Sequence, residues 1–135
     1  MTGMRKLRAH WALALACAVA LPGCVAAAAA AAGAGTGIYL TTRGAESVVE
    51  GSTSDVASRA RSVLREEGIT IGGTSSEDGG DKQEFKGTKG DLDITVTLQR
   101  QSPTTTKVEV TARENLAEWD KEYAQRILNK IVSKG

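Results

Sequence analysis

The sequence predicts an α+β domain: a two-layer sandwich with an antiparallel sheet and two helices on one face, in the order β-α-β-β-β-β-α. Three observations point to it. Val56, Ala60, Val63 and Leu64 recur at the helical period. Leu92, Ile94, Val96 and Leu98 alternate with Asp93, Thr95, Thr97 and Gln99, which gives a strand one dry face and one wet face. A second helical run, including Tyr123, Ile127, Leu128 and Ile131, closes the chain. Two amphipathic helices and a one-sided sheet bury their apolar surfaces by meeting face to face.

The first strand is expected over Ala45 to Glu50, with Val48 and Val49 as its apolar positions, and Gly51-Ser52-Thr53 breaks it. Ser52, Thr53 or Ser54 can cap the helix that follows, and Asp55 sits in its first turn, where a negative charge complements the helix dipole. That helix stops at Gly68. Ile69-Thr70-Ile71 opens the rest of the sheet and Asp78-Gly79-Gly80-Asp81 supplies a turn. Gln83 to Thr88 form a short strand with Phe85 inward, and Lys89-Gly90-Asp91 turns again into the strand that begins at Leu92. After Ser102-Pro103-Thr104, Val108, Val110 and Ala112 alternate with Lys107, Glu109, Thr111 and Arg113. The last helix is expected to start at Asn115 as N-cap, with Glu118 completing a capping box. Its apolar face then reads Leu116, Trp119, Tyr123, Ile127, Leu128 and Ile131.

Ahead of this domain lies a targeting pattern. Arg5, Lys6 and Arg8 form a basic start, and the eleven residues Trp11 to Leu21 carry no charge. That run is short for a membrane span, which needs roughly 20 apolar residues. It ends in Leu21-Pro22-Gly23-Cys24, which resembles the lipobox of bacterial lipoproteins, with Pro22 departing from the small residue usual there. The resemblance implies that the Cys24 thiol is alkylated by a diacylglyceryl group, that the chain is cut before Cys24, and that the freed amine is acylated. The expected divisions are a signal peptide over 1–23, an Ala/Gly-rich tether over 24–37 and the small α+β domain over 38–135. Two alternatives stay open: cleavage by an ordinary signal peptidase between Val25 and Gly33, or retention of Trp11 to Leu40 as an uncut span.

Removing the signal changes what chemistry remains. Of 17 basic residues, Arg5, Lys6 and Arg8 leave with it, so 14 remain against 16 acidic ones, a net charge near −2. A nucleic-acid partner is not expected, because no basic stripe or set of stacking aromatics accompanies that charge. His10 and Cys17 leave as well, and Cys24 is consumed by the lipid. Imidazole-dependent nucleophilic catalysis and Cys/His metal sites are therefore not expected, and neither a metal nor another cofactor is assigned.

Other constellations have plainer explanations. Glu77, Asp78 and Asp81 offer carboxylates of the kind calcium takes, but their spacing departs from the EF-hand pattern and a solvated turn is expected. Glu66-Glu67 opposes the helix dipole at the end of the first helix and reads as an exposed pair. Ser58 and Ser62 lie one turn apart with no Lys placed beside them by any motif. Arg59, Arg61 and Arg65 read as a solvated helix face rather than a lipid-headgroup site. Trp119 and Tyr123, one turn apart, are assigned to core packing in preference to stacking a sugar or a partner's side chain.

Taken together, Gly23-Cys24 with its Ala/Gly run, the helix ending Gly68-Ile69-Thr70-Ile71, the hairpin strands, and Gln125-Arg126-Ile127-Leu128-Asn129-Lys130-Ile131 resemble a family of small bacterial lipoproteins catalogued only as a domain of unknown function. That resemblance implies the fold and the location and carries no activity. The expectation is a lipid-anchored, non-catalytic cell-envelope protein, held to the membrane through Cys24, that binds or supports another envelope component, a protein partner being possible. Val25 after the cysteine lacks the Asp that retains some lipoproteins in the inner membrane, which leans toward the outer one by resemblance. The alternative is a periplasmic small-ligand-binding domain or a His-free enzyme, using the space between helices and sheet or the carboxylates of Glu77 to Asp81.

Overall fold

A computed structural model describes residues 37–135. The expected signal peptide, Cys24 and the tether up to Thr36 lie outside the described residues. The elements are β1 (Tyr39–Leu40), β2 (Gly44–Glu50), α1 (Thr53–Glu66), β3 (Thr70–Glu77), β4 (Lys82–Lys89), β5 (Leu92–Ser102), β6 (Thr105–Arg113) and α2 (Lys121–Ser133). The six strands form one sheet in the order β1-β2-β6-β5-β4-β3. Every pairing in it is antiparallel.

The inner face follows from strand alternation and register. Ala45 pairs with Val110, Val110 with Val96 and Val96 with Phe85, so one fully buried apolar row crosses β2, β6, β5 and β4. α2 lies on β2 and β6, while α1 lies on β5 and β4, so both helices cover this one face. Val56, Val63 and Leu64 of α1 and Ile127, Leu128 and Ile131 of α2 fill the space above it. Each such side chain contributes about 1.5–3 kcal/mol by leaving water.

The helix ends obey local chemistry. Ser52 caps α1, its Oγ accepting from the Asp55 amide at 3.2 Å. Gly68 follows the helix at φ 71°, a left-handed turn that glycine makes without a Cβ penalty. At that end Glu66 receives a hydrogen bond from Lys134 at 2.7 Å, and Glu67 receives one from Lys130. Lys89 stands 4.0 Å from Glu67 as a second cation. The adjoining ammonium groups hold both carboxyls below their ordinary range: Lys134 chiefly for Glu66, Lys130 chiefly for Glu67. Glu66 and Glu67 are thus ion-paired to α2, not the free pair expected.

Four elements differ from expectation. β1 precedes the first expected strand and covers the outer edge of β2 at Glu46 and Ala45. In β2 the inward residues are Ala45, Ser47 and Val49, so Val48 faces the other side. β3 continues past Ile71 to Glu77, although Gly72 to Ser76 contain no apolar residue. As an edge strand it is held by backbone pairing to β4, with a bulge between Ile71 and Gly73, so its side chains need not alternate. Finally, α2 begins at Lys121 with Asp120 as its cap, the Tyr123 amide donating to Asp120 Oδ1 at 2.8 Å.

The expected cap Asn115 performs similar chemistry in a loop instead. Its Oδ1 accepts from the Ala117 amide at 3.0 Å and its Nδ2 donates to Glu118 at 3.2 Å. The segment folds back on β6: the Asp120 amide donates to the Ala112 carbonyl at 2.8 Å, and Trp119 bridges Arg113. Leu116 is therefore 89% exposed. Trp119 lies outside the core as well.

Candidate functional site

The sheet face opposite the helices carries the side chains that alternation sends outward. Register arranges them in rows across the strands. Lys86, Thr95 and Thr111 form one row; Thr88, Asp93 and Arg113 form the next. Trp119 extends the second row through its bridge with Arg113. Between these rows runs an open trough of about 440 Å³. Gly72 at the β3 bulge forms part of the rim at the far end, where a side chain would otherwise stand.

Trp119 ends the trough, and two cations fix it there. The guanidinium carbons of Arg43 and Arg113 each lie 5.8 Å from its ring centroid, within the range of cation–π attraction. Arg43 comes from the turn between β1 and β2, where Thr41 Oγ1 accepts from the Gly44 amide at 3.0 Å and shapes the turn. Among the described residues, neither Arg43 nor Arg113 has a carboxylate within ion-pair distance. Lys86 does, at 3.1 Å from Glu84. Toward the opposite end of the same face Lys107 pairs with Glu46 at 2.9 Å. The trough thus combines an indole, threonine hydroxyls, the Asp93 carboxylate and uncommitted guanidinium groups. Such a set can stack a flat or C–H-rich surface and hydrogen-bond to polar substituents.

The other constellations are committed elsewhere. Glu77 accepts from Lys82 at 3.1 Å, which raises the Lys82 pKa, and Asp81 accepts from Arg100 at 2.9 Å. Among the described residues no group of three or more His, Cys, Asp or Glu side chains could hold a metal ion. Ser58 and Ser62 donate along their own helix, to Ser54 O at 3.2 Å and to Glu66 at 3.2 Å. Arg59 donates to the Glu50 carbonyl at 3.0 Å, Arg65 to the Arg61 carbonyl at 3.3 Å, and Arg61 lies 5.1 Å from the Phe85 ring centroid. The space between helices and sheet named for a small ligand is occupied by Phe85, Leu64 and Ile94, all fully buried.

Trp119 and Tyr123, expected to share one helix face, part company. Tyr123 is buried in the core with Lys89 and Arg126 at 5.5 Å and 5.1 Å from its ring centroid, while Trp119 faces the open side. Cys24, the expected lipidation site, is outside the described residues. Among those residues no helix is long and apolar enough to cross a membrane. No protein-family model matches the chain, and no curated protein matches it either.

Proposed function

We propose that this protein is a lipid-anchored, non-catalytic domain of the bacterial cell envelope that recognises another envelope component through its open sheet face. The observation that carries this proposal is the placement of Trp119. An indole that could have joined the core at helical spacing is instead turned onto the polar face, beside guanidinium groups that have no ion-pair partner among the described residues. Leaving Trp surface outside forgoes part of its burial energy, and exposed Trp and Arg are the residues that most often anchor interfaces. The core supports the same proposal from the other side: its polar groups are few and its apolar residues fill the space between the layers.

Anchoring rests on Cys24 and its lipobox-like surroundings. Each methylene of an acyl chain contributes about 0.8 kcal/mol on entering the bilayer, so two or three chains hold such a domain without apolar protein contacts.

The test is photo-cross-linking in the bacterial cell, with the full chain carrying a photoreactive residue at Thr88 in the trough or at Ser58 on the helix layer. The expected result is an adduct from position 88 and none from 58, lost on Trp119→Ala, with the intact mass showing acyl groups on Cys24 that a Cys24→Ala chain lacks. Equal adducts from both positions, or an unacylated mass, would overturn the corresponding half of the proposal.

A further inference from the structure

The trough also has a chemistry that selects among envelope components. From it we infer that the open face binds an anionic saccharide, a short glycan segment bearing carboxylates. This rests on the open face being the recognition surface and adds the class of ligand.

Direction is the first argument. The trough runs from Gly72 on β3, past Lys86 and Thr88 on β4 and Thr95 on β5, to Arg113 and Trp119. It crosses the strands, covering about 14 Å at the usual inter-strand spacing. A peptide recognised by sheet extension lies along an edge strand and exchanges main-chain hydrogen bonds with it. A chain lying across strands whose amides are already paired with one another cannot do so.

Floor chemistry is the second. Thr88, Thr95 and Thr111 supply hydroxyls that donate and accept, Asp93 accepts, and Lys86 and Arg113 donate. Such mixed groups suit ring hydroxyls, each of which is both donor and acceptor. Apart from the indole of Trp119 and the buried Ile94, the residues along the trough are polar or glycine.

At its end the trough supplies the third argument. One face of a pyranose ring presents C–H groups with partial positive charge, and these meet the negative face of an indole. Trp119 stands at the mouth of the polar floor, and a guanidinium that leaves its ring for a ligand's carboxylate opens that surface to the sugar. Around it Arg43 and Arg113 lack ion pairs among the described residues, whereas on the same face Lys86 and Lys107 are each neutralised by a glutamate. Two guanidinium groups without an ion pair thus stand at the aromatic end, with Asp93 as the cross-strand neighbour of Arg113. A carboxylate on the stacked sugar would receive a charge-assisted, two-pronged hydrogen bond from either guanidinium.

The experiment titrates the acylated chain that begins at Cys24, in detergent, where Trp119 is the sole indole, with trigalacturonate, with neutral cellotriose and with triglutamate, following indole fluorescence. The expected result is a saturable change with trigalacturonate, with binding at least about tenfold weaker for cellotriose and triglutamate. Arg113→Gln should weaken trigalacturonate binding while leaving cellotriose unchanged. Thr95→Glu, a surface change that puts a like charge on the floor, should abolish trigalacturonate binding with the melting temperature retained. Absence of any saccharide binding, equal binding of triglutamate, or indifference to Thr95→Glu would each overturn the inference. If the cross-link from Thr88 survives in such a case, only the ligand class is wrong; if it too is absent, the recognition surface is wrong.

Discussion

Arg113, the last residue of β6, forms an antiparallel bridge with Trp119, and its guanidinium carbon lies 5.8 Å from the indole centroid. Backbone and side chain therefore act together at this point. The bridge turns the chain back before α2 begins, and that turn delivers the indole to the open face. Since Trp119 is half-buried and outside the core, removing it should leave the fold largely intact. Trp119→Ala is expected to cost less than about 2 kcal/mol, part of what full burial of such a residue contributes. Phe85→Ala, in the centre of the inner row, is expected to cost about 3–5 kcal/mol. Urea denaturation of the two variants checks the contrast, and similar losses for both would place Trp119 in the core.

Gly87 marks a close approach that no other residue allows. A Cβ there would stand 2.6 Å from Ile69 Cγ2 and 2.9 Å from the Thr70 carbonyl oxygen, because Ile69 sits directly on β4 as the chain leaves α1. Gly87→Ala should destabilise by about 1–3 kcal/mol through overpacking. An unchanged denaturation midpoint would mean that the α1–β3 connection moves aside without cost.

The ion pairs joining α1 to α2 give the stability an acid limb. Glu66 and Glu67 have pKa values below their ordinary 4.5 in the folded state, so the unfolded chain takes up protons first as the pH falls. Their contribution is complete above that ordinary value and is lost as the pH drops through the folded values. Glu67→Gln should therefore lower the denaturation midpoint at pH 7, by a modest amount in keeping with a surface pair. The difference from wild type should shrink as the pH falls below the ordinary carboxylate value and through the lowered folded one. A difference independent of pH would assign the effect to packing rather than to charge.

Tyr123 carries a hydroxyl that is buried with no hydrogen-bond partner among the described residues. Tyr123→Phe removes that unpaired group and keeps the ring, so it should leave stability unchanged or raise it by up to about 1 kcal/mol. A loss above about 1.5 kcal/mol in thermal or urea unfolding would show that the hydroxyl is satisfied in solution.

The strands with one dry face were legible because alternation is a direct consequence of the pleat; Ile94, Val96 and Leu98 are buried as their spacing predicts. β3 was only partly legible. An edge strand such as Gly72 to Glu77 is specified by its neighbour's backbone, and threonines, serines and glycines leave no periodic trace of that. The start of α2 was misplaced for a more instructive reason. Asn115 and Glu118 do hydrogen-bond, but through their side chains, whereas Asp120 accepts from the Tyr123 amide as an N-cap five residues later, after the bridge to Arg113 has turned the chain back. Long-range pairing thus overrode a valid local signal. The trough was illegible for the same cause, since the parity that turns Trp119 outward depends on where the helix begins.

Thiol accessibility in the native envelope bears most directly on recognition through the open face. Thr88→Cys and Ser58→Cys chains are treated with a membrane-permeant maleimide, first in intact cells and then after purification. If the open face is occupied in the envelope, Cys at position 88 is protected in cells and reactive once purified, while position 58 reacts in both. Equal reactivity of position 88 in cells and in purified protein would contradict it.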